Sequence, residues 1–481
     1  MNFESLSSPV RFLQAIGPDI PDWLRQLESW WEHEGQAISD AIDREGTPWL
    51  RMFDLSGTRV DEILYAPEYW KMLRHGYRSG LIWRVFEENS LIPAALGIYL
   101  TSFYDPGLAC PYTVSLGTAV PLSKYGDEAL KQKFLSKMLR KDETAWQGAT
   151  WMTEIKGGSD LGSNVETIAR RRQDRWFLTG DKYFSSNAGA ELAVVAARPE
   201  GTPAGVRGLA LNLVPRLREN GSLNYFIRRL KNKIATRSVP TGEVELRDSE
   251  AWLLGEAGHG IYLILEVLNI SRVANSLGSI ALAQRAIADA MSFAQSRIIF
   301  GKPLIEQPLM RRQFEERLLQ LRAAAKLAWQ SLELLNETWQ QRPPYSERYH
   351  LFRLVTHLAK YWTAELAVQT AKWVMEVHGG LGTLEEFRAE RWLREAMILA
   401  IWEGPAHRQI LDGLEVIERK RADRLLFQLL SSKVNASALH RMEERIEDHL
   451  RVPQEQKEAG AETIFAELAK FTANALAGFK E

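Results

Sequence analysis

The stretch Ile401-Trp402-Glu403-Gly404-Pro405 lies between two segments with helical patterns, residues 390–400 and 410–417. A Gly-Pro pair stops a helix abruptly, so Glu403 is predicted to lie at a break between two helices. Such a break fixes the side chain and leaves one face open to a ligand, which makes Glu403 a candidate general base. The same triplet is also common at solvated helix ends, so the surrounding sequence has to separate the two interpretations.

Long helical patterns surround this stretch. Residues 261–297, 309–338 and 347–377 are predicted to form three long helices joined by short connections, which is the pattern of a helical bundle. We therefore predict a C-terminal four-helix bundle over residues 255–416. Residues 417–481 are predicted to form a helical C-terminal extension whose basic and acidic residues nearly balance.

Residues 149–254 have a different pattern. Their apolar runs are short and alternate with polar residues, and Gly, Asn and Asp separate them, which is typical of β-strands. Strands do not alternate with crossover helices, and neither G-x-G-x-x-G nor a P-loop occurs in its required context, so a Rossmann domain is disfavoured. The predicted strands are two joined at Gly180-Asp181 within residues 174–184, and three more at residues 192–198, 208–215 and 242–246.

Residues 1–148 are predicted to form an N-terminal helical domain. The predicted fold class is therefore α+β and mainly α, with an N-terminal helical domain, a central β-barrel-like domain, a C-terminal four-helix bundle and a helical extension. Helical spacing of apolar residues occurs from about Pro21 and at residues 67–75, 81–88, 91–101 and 127–139.

The composition is that of an ordinary globular protein. The 481 residues are 45% hydrophobic and 25% charged, with a formal net charge of −1, so the chain has no general electrostatic attraction to nucleic acid or anionic lipid. Cys110 is the single cysteine and the nine His residues are scattered, so no disulfide and no metal site are predicted. The N-terminus does not resemble a signal peptide, and the apolar run at residues 91–100 is too short to span a bilayer. We expect a cytoplasmic protein without membrane contact.

Residues 152–160, Met-Thr-Glu-Ile-Lys-Gly-Gly-Ser-Asp, form the most informative motif of the β-domain. Thr153 and Ser159 offer hydroxyl groups, and Gly157-Gly158 allows backbone amides to approach a ligand closely. Such a loop is able to bind the edge of a heterocycle or a pyrophosphate. An ordinary Gly-Gly turn capped by Ser-Asp would have the same composition.

Two further motifs lie at predicted helix ends. Arg297, followed by Phe300-Gly301, can either satisfy the last carbonyls of its own helix or neutralise a phosphate through charge-assisted hydrogen bonds. The run Gly379-Gly380-Leu381-Gly382 is either a glycine helix cap or a loop with a functional role.

These motifs, in this order, resemble the acyl-CoA dehydrogenase superfamily of flavoproteins over about residues 55–415. The family pattern is a helical domain, a β-domain opened by Met-Thr-Glu-x-x-x-Gly-Ser-Asp, and a helical domain with Arg-x-x-Phe-Gly, Gly-Gly-x-Gly and Trp-Glu-Gly. Residues 56–62, the pair Tyr69-Trp70 and residues 229–238 resemble the AidB-type branch. That branch is associated with the response to alkylating agents and tends to have a C-terminal extension.

The resemblance implies FAD as the cofactor and a role for each matching position. Four positions match contacts to the flavin ring and pyrophosphate: Met152, Thr153, Gly158 and Ser159. The strand that packs on the isoalloxazine face is matched by Phe184 and Ser186. The adenine dinucleotide half, held across a subunit interface, is matched by Arg297, Phe300 and Gln307, and from a neighbouring subunit by Gly379 and Gly380. Three positions beside the cofactor depart from the usual residues of the family: Glu376, Pro405 and His407.

The resemblance also implies the substrate and the reaction. Asn269, Ser271 and Arg272 match positions that contact the CoA portion of an acyl-CoA. Glu403 matches the general base, which removes the α-proton of the thioester while the β-hydrogen leaves as hydride to flavin N5. A flavin ribityl hydroxyl and the backbone N–H of the base would stabilise the developing enolate. Burial beneath the acyl chain would raise the pKa of Glu403 toward neutrality.

The implied partners are an electron-transfer flavoprotein as electron acceptor and further copies of the chain in a homotetramer or homodimer. Two other functions stay open. An AidB-like flavoprotein that binds DNA and has little dehydrogenase activity would need a basic surface, for which the balanced charge of the extension gives little support. An acyl-CoA oxidase would differ in the access of O₂ to the reduced flavin, which the sequence does not reveal.

Overall fold

The computed structural model describes residues 3–479, and the chain divides into two compact units. The first, which we call the helical unit, comprises Met1–Glu28, Ser102–Tyr104 and Arg272–Glu481. The second, the barrel unit, comprises Ser29–Thr101 and Asp105–Ser271. Each unit contains segments that are distant in sequence, so long-range packing defines both of them.

The N-terminal segment is helical, as predicted, but it also contains a hairpin that the sequence does not predict. Strand β1 (Trp49–Phe53) pairs antiparallel with β2 (Arg59–Leu64). The hairpin is fixed to the barrel because the buried Asp61 carboxylate accepts a hydrogen bond from the backbone N–H of Ile227 at 2.8 Å. The helices of this segment are α1 (Phe3–Ser7), α2 (Pro9–Ile16), α3 (Asp22–Trp30), α4 (Gln36–Arg44), α5 (Pro67–Ser79), α6 (Trp83–Glu87), α7 (Ile92–Tyr104), α8 (Pro106–Tyr125), α9 (Glu128–Leu130) and α10 (Ser136–Met138), with π-helical turns at Trp31–Gly35 and Lys131–Leu135.

A closed sheet forms the core of the barrel unit. Its strands are β3 (Gly148–Trp151), β4 (Ile168–Arg172), β5 (Arg175–Ser186), β6 (Leu192–Pro199), β7 (Ala210–Pro215), β8 (Phe226–Leu230) and β9 (Thr241–Leu254), and the short helix α11 (Leu161–Asn164) follows β3. The order β6-β4-β5-β9-β7 closes because β7 also pairs antiparallel with β6. β3 pairs with β6 in parallel, and β8 pairs with β9. The predicted β-barrel-like domain is therefore confirmed.

Strand β5 is continuous, so the prediction of two strands joined at Gly180-Asp181 is wrong. Gly180 lies at a bulge in the pairing of β5 with β9 and has a φ of 153°. A Cβ at Gly180 would lie 2.5 Å from Thr167 Oγ1, so close packing within the sheet, and not a turn, requires glycine there. The turn lies between β4 and β5, at Gln173 with a φ of 55°. Strand β9 also extends well beyond the predicted residues 242–246.

The helical unit is organised around one buried helix. Besides α1, α2 and most of α3, its elements are α12 (Gly260–Ser296, which begins in the barrel unit), β10 (Ile298–Ile299), β11 (Lys302–Pro303), α13 (Pro308–Thr338), α14 (Glu347–His378), α15 (Ala389–Ile401), α16 (Ala406–Lys420), α17 (Ala422–Leu430), α18 (Ala436–Arg451) and α19 (Gln454–Ala477). Helix α14 contacts α13, α15, α16, α17 and α19. It is buried on most of its circumference, which is expected of a helix surrounded by others.

The C-terminal extension packs onto α14 and onto α16, the helix that follows the candidate base. A Cβ at Gly413 of α16 would lie 2.4 Å from the Phe465 ring of α19, so α16 and α19 approach closely. The same ring makes an edge-to-face contact with Tyr361 of α14, with centroids 5.7 Å apart. The mainly helical α+β fold class is confirmed. Within residues 3–479 no helix has the length and apolar character needed to cross a membrane, and no cluster of three His, Cys, Asp or Glu side chains is arranged to hold a metal ion.

Candidate active site

The predicted break between α15 and α16 is present and contains Glu403. Helix α15 ends at Ile401 and α16 begins at Ala406. Glu403 and Gly404 both have positive φ, 60° and 104°. Because a positive φ costs a residue with a side chain about 1–2 kcal/mol, the surroundings must hold Glu403 in this conformation.

Lys360 of α14 binds carbonyl groups on both sides of Glu403. Its Nζ donates to Ala400 O at 3.1 Å and to Gly404 O at 2.8 Å. Ala400 lies in the last turn of α15, where carbonyl groups have no partner within the helix. One ammonium group therefore satisfies both the end of the helix and the turn that follows it.

Gln409 and Arg272 complete this support. Gln409 Nε2 donates to Glu403 O at 3.1 Å and to Gly404 O at 3.0 Å, and Arg272 Nε donates to Glu403 O at 3.2 Å. We call Lys360, Gln409 and Arg272 the carbonyl clamp. The clamp binds the backbone, and within residues 3–479 no group hydrogen-bonds to the Glu403 carboxylate. The side chain is therefore available to a ligand while its backbone is fixed.

The orientation of Gln409 is set by a buried histidine. His357 Nδ1 lies 2.9 Å from Gln409 Oε1, and the amide nitrogen of Gln409 is used by the clamp, so His357 is the donor. Burial, followed by the charge of Arg272, lowers the pKa of His357 to about 3. A neutral imidazole can therefore maintain this hydrogen bond at ordinary pH.

The electrostatics of Glu403 suit a proton acceptor. Burial raises the pKa of Glu403, and the charges of Arg272 and Lys360 oppose that increase. Burial also lowers the pKa of Lys360 to about 7, with the charge of Arg272 as the next cause. Arg272 Nη2 lies 3.2 Å from Asp412 Oδ2, so Asp412 compensates much of its charge. A carboxyl group whose pKa is shifted toward the working pH can accept a proton and return it.

The three residues expected to contact CoA lie within one turn of α12. Asn269, Ser271 and Arg272 are all buried. Ser271 Oγ has no hydrogen-bond partner among the described residues, and a buried hydroxyl without a partner is a candidate to bind a polar ligand group. Arg272 reaches the Glu403 turn as part of the clamp.

The β-domain motif is a loop held by a buried ion pair. Glu154 accepts hydrogen bonds from Lys182 Nζ at 2.6 Å, Thr167 Oγ1 at 2.7 Å and the backbone N–H of Glu166 at 2.7 Å. Burial alone would raise the pKa of Glu154, but Lys182 and these hydrogen bonds outweigh burial, and the pKa is lowered. Glu154 is therefore an ionised anchor for the loop on either side of it.

The four residues expected at the flavin ring and pyrophosphate lie around this anchor. Met152 is buried, Thr153 is half-buried, and Gly158 and Ser159 are exposed. A Cβ at Gly158 would lie 2.5 Å from Thr153 Oγ1, so glycine allows the loop backbone to close onto this hydroxyl. The loop presents hydroxyl groups and accessible Gly-Ser backbone, which are the groups that a pyrophosphate or a heterocycle edge requires.

Phe184 and Ser186 lie on β5 next to this loop. The backbone N–H of Tyr183 donates to Thr153 O at 3.0 Å, which fixes the strand beside the motif. The Phe184 ring is 53% exposed, and Lys231 Nζ lies 4.7 Å from its centroid; Ser186 is half-buried. An accessible aromatic ring beside a loop of hydroxyl groups fits a flat ring system with polar edges. The residues present in the barrel unit therefore fit FAD.

A short hairpin follows α12. Phe300 lies in its turn, Arg297 directly precedes it and Gln307 follows it. Strands β10 and β11 are joined by Phe300-Gly301, with φ of 49° and 81°, and Gln307 Nε2 donates to Ile299 O at 3.1 Å. Phe300 is 96% exposed, and Arg297 is exposed as well. Exposing a whole Phe side chain forgoes about 1.5–3 kcal/mol of burial, so this hairpin has the character of a contact surface.

The glycine motif follows the end of α14. Gly379 has a φ of 62°, and a Cβ at Gly379 or Gly380 would meet no other atom within 4 Å, so the backbone there is open to approach. Glu376 is exposed and paired with a lysine one turn earlier. Pro405 precedes α16, and His407 is exposed in its first turn.

The sequence alone does not identify Lys360, His357 and Gln409 as supports of Glu403, or Glu154 as an anchor. One signal was available for the first two. Lys360 and His357 lie three residues apart on one face of a buried helix, and two titratable side chains on a buried helix face need a reason. Gln409 and Glu154 carry no such signal, because His357 and Lys182, which orient them, come from other segments of the chain.

Comparison with known proteins yields matches along most of the chain. The AidB N-terminal domain of the adaptive response protein matches residues 26–143, the acyl-CoA dehydrogenase middle domain residues 149–249, and its C-terminal domain residues 258–417. The chain is 31% identical to the putative acyl-CoA dehydrogenase AidB of Escherichia coli, over 85% of this chain and 76% of that protein. It is 30% identical to acyl-CoA dehydrogenase family member 11 of Caenorhabditis elegans, over 87% and 72%.

Solved structures agree with these matches. The apo form of Bd2924 superposes with a TM-score of 0.85 at 26% identity, covering 98% of this chain and 95% of that one. Caenorhabditis elegans ACDH-11 in complex with C11-CoA gives a TM-score of 0.82 at 26% identity, covering 97% and 85%. The chain belongs to the acyl-CoA dehydrogenase family, whose enzymes are FAD-dependent flavoproteins. Its N-terminal domain assigns it to the AidB-like branch of that family.

Proposed function

We propose that the protein catalyses α,β-dehydrogenation of an acyl-CoA thioester, with Glu403 as the base that removes the α-proton. The observation that carries the proposal is that the Glu403 carboxylate has no hydrogen-bond partner in the described part of the chain although its backbone is fixed. Its backbone is held by the carbonyl clamp, its pKa is raised by burial, and no described residue between 3 and 479 hydrogen-bonds to it. A base that is fixed, partly desolvated and unpaired can approach a substrate α-carbon without breaking an existing bond.

Both groups that act on the thioester in this proposal belong to the turn at Glu403. The Glu403 carboxylate accepts the α-proton, and its backbone N–H is assigned to the thioester carbonyl, where negative charge develops. Arg272 and Lys360 keep positive charge near this carboxylate, which favours its ionised form before the proton arrives. When bound, FAD supplies the acceptor for the hydride that leaves the β-carbon.

FAD is assigned to the residues that fit it. The flavin and pyrophosphate are assigned to Met152, Thr153, Gly158, Ser159, Phe184 and Ser186. The adenine dinucleotide half is assigned to Arg297, Phe300, Gln307, Gly379 and Gly380, with Glu376, Pro405 and His407 beside it. The exposed Phe300 hairpin supports a second copy of the chain at this half, so we propose a homotetramer or homodimer, which light scattering on the purified protein tests.

The substrate and partners are proposed by similarity. Because ACDH-11 was solved with C11-CoA, straight-chain acyl-CoAs near that length are the first candidates, with Asn269, Ser271 and Arg272 assigned to the CoA portion. An electron-transfer flavoprotein is the proposed acceptor, in the cytoplasm and in fatty acid metabolism. We assign the N-terminal helical domain to residues 1–148, the β-domain to 149–254, the bundle to 255–416 and the extension to 417–481.

The experiment is anaerobic reduction of the bound flavin, followed by visible absorbance, with a panel of saturated acyl-CoAs around C11. Glu403→Gln is expected to retain flavin and to slow bleaching by about 10⁴-fold, the upper range for loss of a general base. Glu418→Gln, which changes an exposed carboxylate of the same unit, is the matched control and should bleach at the wild-type rate. Bleaching that survives Glu403→Gln would reject Glu403 as the base.

The alternatives give different results in the same preparation. A yellow protein that no acyl-CoA bleaches, and that binds duplex DNA at physiological salt, would favour the AidB-like function without dehydrogenase activity, a possibility raised by the AidB N-terminal match. Peroxide formed in step with turnover in air would identify an oxidase.

A further inference from the structure

Lys360 is a lysine buried in the middle of α14, with 1% of its surface exposed. Burial of an ammonium group is unfavourable unless its donors are satisfied. Two other buried lysines, Lys124 and Lys182, are each satisfied by a carboxylate 2.6 Å away, Glu266 and Glu154. Lys360 differs, because its hydrogen bonds go to main-chain carbonyls.

The two carbonyls that Lys360 binds lie on opposite sides of Glu403. Ala400 belongs to the last turn of α15, and Gly404 follows Glu403. The C-terminal end of a helix carries partial negative charge, which attracts a cation. A single Nζ thus connects the end of α15 to the turn that follows it. This bridge limits the separation of Ala400 O and Gly404 O, and Glu403, which has a positive φ, lies between them.

Capping the end of α15 does not by itself require a buried lysine, because the last carbonyls of a helix are also satisfied by water or by a tightened last turn. The neighbouring residues of α14 on the same face, Thr356, His357 and Thr363, are buried and uncharged near neutral pH, so Lys360 has no opposite charge from its own helix beside it. Burial and the charge of Arg272 lower the pKa of Lys360 to about 7, while Glu403 and Glu365 oppose that decrease. Because an apolar side chain would avoid this unfavourable burial, the presence of an ammonium group points to a role at the Glu403 turn.

We propose that Lys360 is a positioning residue for the reaction: by bridging Ala400 O and Gly404 O it holds the left-handed turn that aims the Glu403 carboxylate at the substrate α-carbon. The inference rests on the proposed function of Glu403 as the base. Lys360 does not touch the reacting atoms in this role. Its loss is expected to slow proton removal without weakening acyl-CoA binding, because small displacements of a base are costly in rate.

The test uses the flavin-loaded protein and the acyl-CoA of the panel that bleaches the wild type fastest. Lys360→Gln removes the bridge and is expected to lower the rate constant of flavin reduction by about 100-fold at unchanged acyl-CoA affinity. Lys360→Arg keeps two donors and is expected to recover to within about 10-fold of the wild type. The control is Lys470→Gln, which changes an exposed lysine of the helical unit and should reduce at the wild-type rate.

A second readout separates positioning from a merely structural role. Deuteration of the substrate α-carbon should produce a larger isotope effect on flavin reduction in Lys360→Gln than in the wild type, because proton removal becomes more limiting. If Lys360→Gln does not fold, Lys360→Met, which also removes the bridge and buries no polar group, carries the same comparison. Wild-type rates in folded Lys360→Gln or Lys360→Met, or a loss of affinity without a loss of rate in either, would overturn the inference alone. Reduction that survives Glu403→Gln would overturn the proposed function, and the inference with it.

Discussion

The loop at residues 152–160 and the Glu403 turn each combine a glutamate with a buried lysine, in opposite ways. In the loop, Lys182 binds the Glu154 carboxylate directly, and the pKa of that carboxyl group is lowered. At the turn, Lys360 binds backbone carbonyls, and burial raises the pKa of the Glu403 carboxyl group. The same pair of residue types therefore makes an anchor in one unit and a candidate base in the other.

The difference shows that the partner of the lysine, and not its burial, sets the role of the carboxylate. A carboxylate that accepts several charge-assisted hydrogen bonds is held ionised and is unsuited to proton transfer. A carboxylate that is desolvated but left without hydrogen bonds keeps its basicity for a substrate. Variants of each region can therefore break or sharpen the comparison.

The largest effect is expected from the anchor. Glu154→Gln leaves Lys182 buried without a full charge partner, and loss of one member of a buried ion pair costs about 3–5 kcal/mol. Chemical denaturation should detect this loss together with weaker FAD retention. Glu166→Gln is the control, since its exposed ion pair with Lys156 is worth about 0–1 kcal/mol. Equal stabilities of the two variants would show that Glu154 is not an anchor.

A smaller effect, limited to acid, is expected at His357. Its pKa is lowered from 6.5 to about 3, so between these values the unfolded chain binds a proton that the folded chain does not, and stability falls as pH decreases. At pH 4 this amounts to about 3 kcal/mol. His357→Asn keeps a donor for Gln409 and cannot titrate, so its free energy of unfolding should fall less steeply between pH 6.5 and 4 than that of the wild type. Parallel pH profiles would contradict the assignment.

The smallest effect is expected at Gly158. Gly158→Ala introduces a Cβ that would lie 2.5 Å from Thr153 Oγ1, and relieving such overpacking costs about 1–2 kcal/mol. FAD affinity, measured by flavin fluorescence during titration, is expected to fall by about 10-fold. Gly258→Ala meets no atom within 4 Å and should bind FAD as the wild type does. Unchanged affinity in Gly158→Ala would remove this glycine from the flavin loop.

Much of the fold could be predicted from periodicity. The long helices α12, α13 and α14 agree closely with the predicted residues, and the break at Glu403 lies where Gly404-Pro405 indicates it. Helix α8 is hidden from such reasoning by Pro111 and Pro121 within it, because prolines normally mark a helix end. The continuity of β5 through Gly180 is hidden for the same kind of reason, since glycine marks turns and bulges alike.

The sequence by itself determined the order of the domains, the family to which the chain belongs and the residue at the helix break, because these depend on local patterns and on motifs read in order. Only the tertiary structure decided that Lys360, Gln409 and Arg272 bind the carbonyls around Glu403 and that Glu154 is an anchor. Apart from those of Gln409, which lies a few residues after Glu403, these contacts join segments far apart in the chain. Burial, which shifts the pKa of each group, is likewise a property of the packed fold and not of the local sequence.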